Sequence, residues 1–161
     1  MKNKEEDPSS PREKDSSPDS PDLSGSEKER AVLVLHSGAY DRASYALSMA
    51  LVALAMGMEV HILFTYGGLS RLVKGHSEEM GQETDSSLRP LLEKALATGR
   101  IPSFTESLRE AKKMGLKVYA CAAAMALLNV SRQELIAEVD QVTGLAKFLE
   151  LAKNASLSFY I

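Results

Sequence analysis

The chain has 161 residues, 44% of them hydrophobic and 25% charged, with a net charge of −3, enough for one packed core and something beyond it. A pI near 5.7 lacks the basic footprint of a nucleic-acid binder, so no nucleic-acid partner is expected. One cysteine excludes an internal disulfide and a dithiol redox pair, and no apolar run reaches bilayer-spanning length, so no membrane partner is expected either.

Residues 1–30 hold Pro8, Pro11, Pro18 and Pro21, many serines and, after Met1, only Leu23 as a large apolar side chain. Such a stretch buries too little to repay its ordering entropy, which predicts a disordered, acidic Ser/Pro-rich tail and a folded domain over residues 31–161. The tail accounts for the whole net charge and leaves the domain neutral. It has neither an apolar secretion core nor the basic character of a transit peptide, so the expected location is cytoplasmic.

At Ala31 a continuous apolar run, Ala31-Val32-Leu33-Val34-Leu35, predicts a strand covered on both faces. Asp41 fits the N-cap of a largely buried helix from Arg42 to Met56, stopped by Gly57. Met49, Met56 and Met58 read as core filling. Met58–Thr65 is the second strand, closed by Gly67-Gly68. Ser70–Thr84 is polar and predicts a mobile excursion, with a short helix at Leu69–Lys74. Asp85 or Ser86 caps a helix running to Thr98. Ser103 and Glu106 form a capping box for a helix ending at Met114-Gly115. Leu116–Cys121 is the third strand, followed by a helix to Leu128, a left-handed Asn129 and a second capping box, Ser131 to Glu134. Val139–Val142, Gly144–Asn154 and Leu157–Ile161 complete the alternation as strand, helix and strand. Five strands separated by helices predict an α/β fold, a three-layer α/β/α arrangement on a mainly parallel sheet.

In such a sheet ligands collect outside the carboxyl ends of the strands. The predicted site therefore gathers His36, Ser37, Gly38, Tyr40, Asp41 and Arg42 after the first strand. Thr65, Tyr66 and Gly67 come from the second; Cys121, Ala122, Ala123 and Met125 come from the third. Cys121 is the candidate catalytic residue, because a thiol at a strand-to-helix junction faces unpaired N–H groups that favour an anion. The competing reading is a small buried hydrophobe. Arg42 reads as a surface ion-pair partner, or as a cation near the strand ends that helps hold a sulfur anion. Dinucleotide and phosphate-loop fingerprints are missing from His36-Ser37-Gly38-Ala39-Tyr40-Asp41. No Gly-x-Ser-x-Gly elbow is present. His36, His61 and His76 lack ligand spacing, and His61 fits a structural role inside a strand, so no metal and no cofactor are expected.

Ala55-Met56-Gly57-Met58-Glu59-Val60, Phe64-Thr65-Tyr66-Gly67-Gly68-Leu69, Val118-Tyr119-Ala120-Cys121 with Met125, and the ending Ser158-Phe159-Tyr160-Ile161 together resemble the DsrE/DsrF-like family. The resemblance spans Ala31 to Ile161. It implies an α/β/α subunit of a symmetric homo-oligomer, linked to cytoplasmic sulfur trafficking, in which Cys121 falls at the position that carries sulfane sulfur. The implied partners are sulfur donor and acceptor proteins or small polysulfides. Where members closest to this pattern usually place a small polar residue after the cysteine, Ala122-Ala123-Ala124 stands here, which leaves backbone donors alone to hold a persulfide. A non-catalytic subunit that binds a small anion or completes an assembly, with Cys121 structural, is the alternative. A one-cysteine peroxidase ranks last, because no Thr or Pro precedes the cysteine to organise peroxide.

Overall fold

The computed structural model describes residues 28–161. Five parallel strands, β1 (Arg30–Leu35), β2 (Glu59–Phe64), β3 (Lys117–Cys121), β4 (Gln141–Thr143) and β5 (Leu157–Tyr160), form one sheet in the order β4-β3-β2-β1-β5. Between them lie helices α1 (Tyr40–Ala55), α2 (Arg89–Ala97), α3 (Phe104–Lys113), α4 (Ala122–Leu127) and α5 (Leu145–Ala152), with 3-10 helices at Tyr66–Leu72 and Arg132–Glu134. The three-layer α/β/α arrangement predicted from the alternation is the one found. The tail assigned to residues 1–30 lies outside the described residues except at its end, where Arg30 already belongs to β1.

Two aromatic pairs identify the layers. Phe64 on β2 meets Phe104 of α3 edge-on at 6.2 Å, and Tyr119 on β3 meets Phe148 of α5 at 5.6 Å. Phe64 is registered beside Ala120, so Tyr119 points to the opposite face. α1 and α3 therefore cover one face and α5 the other. α1 meets the sheet through Ala43, Ala46, Leu47, Ala50 and Ala53, all buried, and four alanines among them let the helix axis come close. Both faces of β1 and β2 are buried, as their unbroken apolar runs require.

Several local expectations change. α1 starts at Tyr40 and not Arg42, its N-cap is Ala39, and Asp41 lies inside the first turn with no capping bond. The first free N–H is satisfied from a distance: Tyr40 N–H donates to Thr84 Oγ1 at 2.8 Å and Met80 O at 3.0 Å. Met56 is 69% exposed, so it fills no core, whereas Met58 is buried and Met49 packs against the core. The short helix expected at Leu69–Lys74 is the 3-10 helix Tyr66–Leu72, displaced toward β2. Asp85 caps a turn, accepting from Ser87 N–H at 2.7 Å, and α2 begins beyond it at Arg89. The Ser103/Glu106 and Ser131/Glu134 capping boxes form as predicted, and Asn129 is left-handed with φ 52°.

Candidate functional site

The carboxyl ends of β1, β2 and β3 are tied together by backbone. Thr65 N–H donates to Leu35 O and Gly68 N–H to His36 O, each at 3.0 Å, while His36 N–H donates to Ile161 O at 2.6 Å. The β1 and β2 turns touch at their glycines, since a Cβ on Gly67 would lie 2.7 Å from Gly38 N. Between these turns Tyr66 adopts φ 45°, a conformation costing a bulky residue about 1–2 kcal/mol. Its exposed ring lies against the His36 imidazole, centroids 4.8 Å apart. Strain held on an exposed aromatic residue beside an exposed histidine is the pattern of a site that needs that side chain in place.

Above the β1 turn lies the segment 76–84, expected to be mobile and in fact anchored at several points. Ser37 Oγ–H donates to Glu83 Oε2 at 2.5 Å, Gly38 N–H donates to the same oxygen at 3.1 Å, and Ser37 Oγ accepts from Ala39 N–H. The Ser37 hydroxyl, followed by burial, the Gly38 N–H and the charges of Arg42 and His36, leaves the Glu83 carboxyl below its usual range. Arg71, 1% exposed, donates from Nη1 to Ser77 O at 3.2 Å and to Glu79 O, and from Nη2 to Gly38 O. Its guanidinium lies 5.4 Å from the Tyr40 ring centre. Glu78 completes the fastening by capping α3, accepting from Thr105 N–H at 2.8 Å, Phe104 N–H at 3.2 Å and Tyr40 O–H at 3.0 Å. Burial pushes the Tyr40 hydroxyl up to about 12, so it donates to Glu78 as the neutral phenol.

Cys121 ends β3 and stands at the N-cap of the six-residue α4, where its side chain makes no capping bond. It is 4% exposed. By register it lies beside Thr143 of β4 and one step past the Phe64–Ala120 pair, next to Thr65. The 3-10 helix Tyr66–Leu72 packs on β2, β3 and α4 and so covers this end of the sheet.

The predicted site residues therefore divide. His36, Arg42, Tyr66, Ala122 and Ala123 are exposed, and Gly67 is half-buried. Ser37, Gly38, Thr65 and Met125 are buried, and Tyr40 is fully enclosed beneath Arg71, so it supports the turn and lines no opening. Asp41 is half-buried with Oδ1 unpartnered. Arg71, Glu78 and Glu83 were not anticipated. A lone arginine in an apolar Leu69–Leu72 stretch was the available signal for the first, and nothing in a polar loop distinguishes the other two.

A second polar chain crosses the α5 face. His61, 3% exposed, has Nδ1 3.0 Å from Tyr119 Oη and Nε2 2.9 Å from Glu59 Oε1, whose partner oxygen accepts from Arg30 Nε at 3.0 Å. The Nε2 contact is close but poorly aligned, and Nε2 has no hydrogen-bond partner. Burial holds His61 below its ordinary value, against the raising effect of Glu59. The unfolded chain then takes up a proton near pH 6.5 that the folded chain refuses, so stability falls as pH drops from about 7 toward that lower folded value. Urea midpoints between pH 7.5 and 5.5 should show this decline, and His61→Gln should flatten it. Glu78 and Glu83, both held low, add a separate loss that begins only below about pH 4.5.

Among the described residues no three His, Cys, Asp or Glu side chains gather as a metal ligand set, and no helix is long and apolar enough to cross a membrane. The fold is similar to the solved structure of MTH1491, a protein of unknown function from Methanobacterium thermoautotrophicum. That match has a TM-score of 0.51 at 14% identity and covers 83% of this chain and 98% of that one. It is also similar to the ychN protein from E. coli, with a TM-score of 0.55 at 9% identity, covering 84% and 100%. In sequence the chain is 26% identical over 155 residues to the uncharacterised protein YrkE of Bacillus subtilis (strain 168), covering 82% of this chain and 96% of that protein. The sequence model of the DsrE/DsrF-like family matches residues 29–159, and the chain belongs to that family.

Proposed function

We propose that the protein is a cytoplasmic sulfur carrier that holds sulfane sulfur as a persulfide on Cys121. The observation that carries this reading is the position of Cys121: a free thiol, committed to no side-chain cap, at the carboxyl end of β3 between the ends of β2 and β4. Membership of the DsrE/DsrF-like family supplies the sulfur chemistry.

In the transfer the Cys121 thiolate attacks the outer sulfur of a donor persulfide, R–S–SH. The donor's sulfur–sulfur bond breaks, a new one forms as Cys121–S–SH, and the donor leaves as R–S⁻ with no net change in oxidation level. An acceptor thiolate repeats the exchange in the opposite sense and regenerates Cys121. One cysteine suffices, because donor and acceptor, proteins or small polysulfides, bring the other sulfurs. At 4% exposure the thiol meets them only when the 3-10 helix Tyr66–Leu72 or α4 shifts, so access and not nucleophilicity sets the rate.

The same burial favours a second reading, in which Cys121 is structural and the protein is a binding or assembly subunit. Intact-mass spectrometry after brief exposure to polysulfide, with Cys121→Ser alongside, separates them. Carriage predicts a reducible gain of one sulfur mass on the parent and none on the variant. No gain, with a thiol that labels only after unfolding, assigns Cys121 to the core.

A further inference from the structure

Between Arg42 and Glu59 the chain has no charged residue, although α1 is an outer-layer helix with one face in solvent. Surface helices ordinarily reserve that face for charge. Here it carries Tyr45 at 61%, Val52 at 61% and Met56 at 69% exposure, with the partly buried Met49 between them. The spacing 45, 49, 52, 56 makes a continuous seam along the helix, the pattern that packs against another helix. Beside the seam the sheet projects one strand further, to β5, whose Leu157 and Phe159 are registered with Ala31 and Leu33 and therefore face the α1 side. α1 sits over β1 and β2, so β5 is bare on this face among the described residues. Helix wall and strand floor enclose an apolar groove of about 290 Å³.

We propose that this groove is a two-fold interface between copies of the chain, in which α1 of each copy lies beside α1 of the other and covers the other's β5. The occupant must be apolar and uncharged, since nothing in the groove would pair with a charge. α1 itself has that character along its whole outer face and fits the slot that its own copy leaves open. The arrangement is isologous, as a two-fold requires: the seam meets the seam and each helix roofs the partner's strand. Counting side chains of about 150–250 Å² when free, the exposed parts of the seam and of β5 come to roughly 500 Å² per copy. Backbone and small side chains of the slot bring this toward the ~800 Å² per partner of a standard stable interface. β5 itself, Leu157-Ser158-Phe159-Tyr160, has none of the lysine, proline or charge that keeps solvent-exposed edge strands from associating. The inference is independent of the chemistry at Cys121.

Sedimentation equilibrium on the full-length chain, with Val52→Lys and Met56→Glu as separate variants, tests it. The parent is expected at an even multiple of the chain mass. Each variant is expected at half the parent's mass with unchanged circular dichroism, because both positions are solvent-facing within one copy. A mixture of the two variants should recover the parental mass, since the lysine of one then meets the glutamate of the other, which a misfolded variant would not do. A monomeric parent at tens of micromolar, an odd multiple, or variants of parental mass overturns the proposal. A monomeric parent whose melting temperature falls on either substitution also overturns it and assigns the groove to another part of the same chain.

Discussion

Arg71→Met should lower the stability of the folded chain by about 3 kcal/mol, which for a domain of this size shifts the melting temperature by roughly 10 °C. The side chain is 1% exposed, and its Nη atoms donate to Gly38 O, Ser77 O and Glu79 O. A hydrogen bond from a charged donor is worth about 1.5–3 kcal/mol, and methionine would leave three carbonyls without their donors. Part of that loss is offset, because the buried guanidinium has no carboxylate within ion-pair distance among the described residues and pays a desolvation penalty, seen as a lowered pKa. Lysine should rescue poorly, since one ammonium cannot span carbonyls on two separate turns. Hydrogen exchange should localise the loss to residues 76–84. Arg71 also belongs to the 3-10 helix that covers the end of β3, so native Cys121 should label faster in the variant, about tenfold for each ~1.4 kcal/mol lost from local opening. An unchanged labelling rate would place the opening that exposes Cys121 elsewhere.

The strands and the helices between them were legible because their signals are local and repeated. A run such as Val32-Leu33-Val34-Leu35 can only be a strand covered twice, and Ser103-x-x-Glu106 carries its own cap. The candidate site was legible in outline, since the carboxyl ends of parallel strands follow from topology, and His36, Tyr66 and Cys121 do stand there. What was not legible is what closes it. The N-terminus of α1 is satisfied by Thr84 and Met80, some forty residues on, so Asp41 was the nearest local candidate and the wrong one. Glu78, Glu83 and Arg71 act through backbone groups that any residue could provide, which leaves no pattern at the receiving end. The exposure of Met56 was hidden for a different reason: an apolar residue on the outer side of a helix reads as core until the layer above it is known to be empty.

Gly81→Ala should cost about 2–4 kcal/mol, against about 1 kcal/mol for Gly75→Ala in the same loop. Both glycines have positive φ, 75° and 85°, so both alanines bear the same backbone strain. They differ in surroundings. A Cβ on Gly75 meets nothing within 4 Å, whereas one on Gly81 collides with Gly38 O and comes within 2.9 Å of Arg71 Nη2. The loop backbone lies directly on the β1 turn, and a methyl group there forces the two apart along with the Arg71 bond to Gly38 O. Because both substitutions break the same contact, Gly81→Ala combined with Arg71→Met should destabilise by clearly less than the sum of the two. Urea denaturation of the three variants and the double supplies all the terms. Equal costs for Gly81→Ala and Gly75→Ala would mean that the loop yields without resistance. Full additivity would mean that Arg71 holds Ser77 and Glu79 independently of the turn beneath them.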